Sequence, residues 1–149
     1  MKSAVKLVVI KVREKVQEYE ATLSSPQKVH EFAKNAIWKV GEPVVEEFWV
    51  VLLNVRNKVV GSSMVSRGTI NECPVTPRDV LLPAILTGAA NVVLLHNHPS
   101  GDPTPSEEDK LLTQRVFEAS RILGVKMLDH VIIAGDNYFS FRDHETIIL

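Results

Sequence analysis

"NVVLLHNHPSGDPTPSEEDKLLTQRVFEASRILG", residues 91–124, passes from an unbroken apolar run through a loop dense in proline and acid into a helical stripe. The run Val92 to Leu95 has no polar alternation, the pattern of a strand covered on both faces, and Pro99 ends it. Beyond the loop, Leu112, Val116, Ala119 and Leu123 recur at helical spacing, and Gly124 follows at the C-cap. A buried strand feeding an amphipathic helix is the building unit of an α/β domain.

The loop itself asks for a chemical explanation. A solvated turn uses proline, glycine and aspartate, but it has no need of two histidines placed two apart at the end of a buried strand. Strand side chains alternate faces, so His96 and His98 project together while Asn97 points away. Asp109 lies eleven residues beyond His98, after Gly101, Pro103 and Pro105 have turned the chain back, in the first turn of the next helix. Two neutral imidazoles and one carboxylate are a natural set for catalytic zinc, with the fourth tetrahedral position left for water. Taken singly, each feature has a blander explanation: histidines at strand ends are commonly structural, and Ser106-x-x-Asp109 is an ordinary capping box. Thr104 offers a second register, with Pro105 at the first helical position and Glu107 closing the box, which leaves Ser106 and Asp109 free. Taken jointly, the pattern predicts a metal site of His96, His98 and Asp109.

Working outward, "VKMLDHVIIAG", a "DN" turn and "YFSFRD" predict a terminal hairpin, and Asp129-His130 within it reads as structural, with the alternative that the carboxylate orients a ligand imidazole. Upstream, Thr76, Pro77 and Asp79 announce a helix that Pro83 should bend or shorten. "VVEEFWVVLLNV", the turn "RNK" and "VVGSSMVSRGT" predict an antiparallel pair, and Ser25-Pro26 opens a short helix with Val29, Phe32, Ala33, Ala36 and Ile37 on one face and Gly41 as its stop. The expected fold is α/β, a mixed β-sheet flanked by helices, spanning residues 25–149. Residues 1–24 are expected to form an N-terminal helical extension, from apolar positions Val5, Val8, Val9, Val12 and Val16.

With 149 residues, 45% of them hydrophobic, the chain can bury one substantial core. A formal charge of −1 provides no field to attract a polyanion, so nucleic acid is unsupported by charge. A single cysteine, Cys73, rules out an internal disulfide and a multi-cysteine zinc cage, including the P-C-x-x-C element of zinc deaminases. "HEFAK" and "HETII" begin like H-E-x-x-H but lack its second histidine. Apolar runs are too short to span a bilayer and no cleavable leader is evident, so the expected location is the cytoplasm. Trp38 and Trp49 are expected in the core.

His96-x-His98, seven residues, Ser106, two residues, Asp109 resembles the JAMM metalloprotease motif of MPN domains with every spacing intact. "RGT" at 67–69, "PRDV" at 77–80, "HNHPSGDPTPSEED" at 96–109, Met127 to Ile133 and Ser140-Phe141 together resemble the RadC family of bacterial proteins over roughly residues 25–149. The helix-hairpin-helix portion typical of full-length members, the part most readily connected with DNA, has no counterpart in these residues. The resemblance implies a sandwich similar to cytidine deaminases, a Zn2+ ion on His96, His98 and Asp109, and a non-ligand glutamate serving the attacking water as base. The spacing E-x-F-x-V favours Glu46 for that role, while a spacing measured to Leu52-Leu53 keeps Glu47 in play; strand alternation allows only one of them to face the metal. The implied activity is amide or isopeptide hydrolysis of a protein or peptide substrate, with the Ser106 hydroxyl as oxyanion donor. The alternative is a non-catalytic or nucleic-acid-associated DNA-repair accessory.

Overall fold

A computed structural model describes residues 20–68 and 74–144. Of the helical extension expected over residues 1–24, residues 1–19 lie outside the described residues, as does Cys73, and residues 20–24 carry no helix, Thr22 instead forming a bridge to Lys58. Five strands form one mixed sheet in the order β2-β1-β3-β4-β5, with β1 Glu47–Leu53, β2 Val59–Arg67, β3 Asn91–Asn97, β4 Lys126–Ala134 and β5 Asn137–Ser140. Only β3 and β4 run parallel; β1–β2 and β4–β5 are antiparallel, as the two sequence-predicted hairpins require, and β1–β3 is antiparallel as well.

Three helices cover the sheet. Helix α1, Pro26–Phe32, starts on Ser25, whose hydroxyl accepts from the Lys28 amide, and Pro26 occupies the first helical position where no amide is needed. It continues as a π-helical turn over Ala33–Ile37, closed by the Trp38 amide on the Ala33 carbonyl, so the helix stops before Gly41. Helix α2, Pro77–Thr87, opens on the predicted Thr76–Asp79 capping box. Pro83 lies inside it without ending it, and the left-handed Gly88 does that. Helix α3, Glu107–Leu123, ends on the left-handed Gly124.

Two apolar clusters, one on each face of the sheet, divide the alternating side chains between them. Val29, Phe32 and Trp38 pack on Val51, Leu53, Val93, Leu95, Val131 and Ile133. Val80, Leu81, Leu112 and Val116 pack on Phe48, Val50, Leu52, Val92, Leu94 and Met127. Central strand β3 is therefore dry on both faces, as its unbroken apolar run predicted. Ala21 and Leu23 flank an isolated bridge from Thr22 to Lys58, and Leu23 is buried with α1. Among the described residues no helix is long and apolar enough to cross a membrane.

Candidate metal centre

Alternation along β3 carries Val92, Leu94 and then His96 onto the face covered by α2 and α3, and His98 follows just past the strand's carboxyl end. The loop turns back at Gly101, whose φ of 87° is in the left-handed region, and Asp102 stiffens it by accepting from the Thr104 amide. Helix α3 thus starts beside the strand it follows. His96 Nε2 and His98 Nε2 come within 3.0 Å, Asp109 Oδ2 lies 3.2 Å from His98 Nε2, and Asp109 Oδ1 lies 3.4 Å from His96 Nε2. The ligand atoms of these three residues form a group able to hold one metal ion.

Helix α3 takes the Ser106 register, not the Thr104 register. The Ser106 hydroxyl accepts from the Asp109 amide at 3.0 Å, and Asp109 Oδ2 accepts from the Ser106 amide at 2.9 Å. The expectation that Asp109 is released from capping is therefore corrected: the carboxylate caps the helix and faces the histidines together. Capping aids the site, because the bond from the Ser106 amide fixes the carboxylate's rotation.

The protonation of the cluster argues that it is built for a cation. His98 Nδ1 lies 2.9 Å from the Asp102 carbonyl, which can only accept, so Nδ1 carries the proton and Nε2 is left with its lone pair. The bare His98 Nε2 then faces His96 Nε2 and the Asp109 carboxylate. On a tetrahedral ion with bonds of 2.0–2.1 Å, neighbouring donors stand about 3.3–3.4 Å apart, close to the separations seen here. Without an ion, a proton has to fill the gap. Burial pulls the His98 imidazole down, but its bonds to Asp109 and Asp102 and the charges of Asp109 and Glu46 outweigh this and raise its pKa. Burial likewise pushes the Asp109 carboxyl up, yet His96 and His98 hold it well below the usual carboxylate range.

The two glutamates separate as alternation requires. Phe48 pairs with His96, so continuing the antiparallel register by two places Glu46 opposite His98, and the charge of Glu46 is felt there. Glu47 turns to the other face, where one of its oxygens accepts from both indoles, Trp38 Nε1 at 2.8 Å and Trp49 Nε1 at 2.9 Å. Trp38 is a core residue as expected and the partly buried Trp49 packs against that core; both also immobilise the glutamate that faces away from the site. Asn97 steadies this approach: its amide nitrogen donates to the carbonyls of Pro43 and Val45, and its oxygen accepts from the Glu47 amide at 2.8 Å.

Thr113 was not singled out by sequence, and His130 was read there only as half of a structural pair. His130 Nε2 lies 2.8 Å from His96 Nδ1, and Thr113 Oγ1 lies 2.6 Å from His130 Nδ1. Burial drives His130 well below the usual imidazole range, and His96 adds to that. Asp129 is the structural member of its pair: it accepts from the Ser140 hydroxyl and the amides of His130 and Arg142, tying β4 to the end of β5.

The RadC-like JAB domain matches residues 23–146. The chain is similar to UPF0758 proteins: 42% identical over 121 residues to that of Symbiobacterium thermophilum, covering 81% of this chain and 50% of the relative. It is 46% identical over 122 residues to that of Rubrobacter xylanophilus, covering 82% and 52%. With Desulforudis audaxviator the identity is 53% over 95 residues, covering 64% and 41%. The chain spans about half the length of these curated relatives. By this match over nearly all its described residues, the chain belongs to the RadC family, as a RadC-like JAB domain.

Proposed function

We propose that the chain is a JAMM-type metallopeptidase, hydrolysing an amide or isopeptide bond of a protein or peptide substrate. The observation that carries this reading is the convergence of His96 Nε2, His98 Nε2 and the Asp109 carboxylate on one point. Two imidazole nitrogens and one carboxylate oxygen at tetrahedral spacing suit zinc better than the larger all-oxygen sets of calcium or magnesium. Zinc held there supplies Lewis-acid activation of water and of the substrate carbonyl.

The remaining steps fall to the chain's own residues. Glu46, across the strand pair from His98, takes the proton of the attacking water and returns it to the leaving amine. The Ser106 hydroxyl oxygen accepts from the Asp109 amide, which leaves its proton free to donate to the oxyanion that develops on the carbonyl. Phe48 stacks on His96, keeping the inner side of the site dry while His98 stands at its rim.

Zinc content and turnover of fluorogenic amide- and isopeptide-linked peptides, measured on wild type beside His98→Ala and Asp109→Ala, test this reading. One zinc per chain in the wild type and loss of both metal and turnover in the variants is the expected result. Equal zinc in all three proteins would remove the site.

A further inference from the structure

A chain of hydrogen bonds starts on the main-chain carbonyl of Asp109 and ends on His96, whose other ring nitrogen faces the carboxylate of the same Asp109. The Thr113 hydroxyl lies within bonding reach of the Asp109 carbonyl one turn back and of His130 Nδ1 at 2.6 Å. A carbonyl oxygen carries no proton, so the single hydroxyl proton lies on the bond to Asp109; turned the other way, two oxygen lone pairs would face each other at close range. The Thr113 oxygen then accepts from His130 Nδ1–H, which leaves His130 Nε2 bare. His96 Nδ1 is 2.8 Å from that nitrogen and has to be its donor. The proton of neutral His96 is thereby placed on Nδ1, and Nε2, the nitrogen facing His98 and Asp109, is left with its lone pair.

We infer that Thr113 and His130 are positioning residues, a tautomer relay that makes His96 Nε2 an electron-pair donor to the metal; the inference rests on the metal reading above. Burial gives the relay its authority. His96, Asp109, Thr113 and His130 are each 2% exposed or less, so water cannot stand in for a missing partner. The surrounding walls offer no substitute: Phe48 stacks on His96 and meets His130 edge-on, and Phe141 stacks on the other side of His130. His98, nearer the surface, obtains the same tautomer in one step from the Asp102 carbonyl. One turn of α3 thus supplies the third ligand and also dictates the tautomer of the first.

The test reads tautomers directly. Long-range 15N–1H spectra of metal-free wild type are recorded at about pH 8.5, some two units above the ordinary imidazole pKa. His96 and His130 are both expected as Nδ1–H; His96 found as Nε2–H overturns the relay. Thr113→Val keeps the volume but strands the His130 Nδ1 proton, so the pair is expected to flip, His96 to become Nε2–H, and zinc affinity by chelator competition to fall about 10- to 100-fold. Thr113→Ser, which restores the hydroxyl, is expected within about threefold of wild type. A folded Thr113→Val with unchanged tautomers and unchanged affinity overturns the inference even if its stability drops. If Thr113→Val does not fold, the wild-type spectrum decides alone. A wild type with Nδ1–H on His96 that takes up no zinc sinks the metal reading while the tautomer assignment stands.

Discussion

Ser106→Ala is the sharpest probe of how the site is anchored. The substitution removes one of the two bonds of the capping box, the one from the Asp109 amide to the Ser106 hydroxyl, and spares the other, which comes from the main chain of residue 106. The amide it strands belongs to a residue only 2% exposed, so solvent cannot replace the lost oxygen. Loss of an N-cap costs about 0.5–2 kcal/mol, and a donor left without water belongs in the upper half of that range, about 1–2 kcal/mol. For a domain of this size that corresponds to a fall in Tm of about 3–6 °C, or in the urea midpoint of about 0.5–1 M. Urea denaturation of metal-free protein, compared at constant slope, measures it. Thr104→Ala serves as the control and is expected within about 0.5 kcal/mol of wild type, because only the Thr104 amide is engaged in the turn. Should Ser106→Ala match wild type while Thr104→Ala loses stability, the helix starts in the other register and the double duty assigned to Asp109 is wrong.

Glu46→Gln is expected to keep its zinc and lose turnover by about 10²- to 10⁴-fold, whereas Glu47→Ala strands two indole donors and costs about 2–3 kcal/mol with the metal retained. Turnover surviving in Glu46→Gln but lost in a well-folded Glu47 variant would exchange the two roles. Asn97→Ala removes three hydrogen bonds of a fully buried amide, so we expect a loss of about 2–3 kcal/mol and faster hydrogen exchange at the Glu47 amide; unchanged exchange there would make the clamp idle. The pH dependence follows from two shifts of opposite kind. His98, raised in the folded state, stabilises the metal-free protein fully below about pH 6.5, and that contribution is lost as pH rises through its folded value. Asp109, lowered, contributes fully above about pH 3.9, and its contribution is lost as pH falls towards the folded value. The metal-free protein is therefore expected to be most stable between these limits. Zinc needs the nitrogen that the proton occupies, so the rise in Tm on adding zinc should grow between about pH 6 and pH 8. Thermal scans showing a zinc increment that does not vary over this interval would contradict the assignment of His98 as ligand.

The convergence of His96, His98 and Asp109 was legible in the sequence because it depends on local rules. The alternation of β3 puts His96 and His98 on one face whatever the rest of the chain does, and proline and glycine return the loop to a helix whose first turn has to contain Asp109. The helix-capping signals at Ser25, Thr76 and Gly124 are local in the same sense, and each bounds its helix as chain neighbours dictate. The choice between Thr104 and Ser106 was not legible, because both offer a complete box, and proximity of Asp109 to two histidines from another element goes with only one of them.

What the tertiary structure alone decided is which residues meet His96 and His98 from other strands. Alternation shows that Glu46 and Glu47 face opposite ways, but the pairing of Phe48 with His96, 48 residues apart in the chain, puts Glu46 on the side of His96 and His98. His130 depends on a single irregularity: a register shift between Val92 and Val93 leaves Leu128 as an extra residue in β4, so His130 pairs with Leu94 and faces α3. Without the shift the same residue would lie opposite Leu95, on the α1 face, away from His96. A sequence states side-chain order along each strand, whereas register between strands is settled by the packing of both faces of the sheet, and one inserted residue exchanges them.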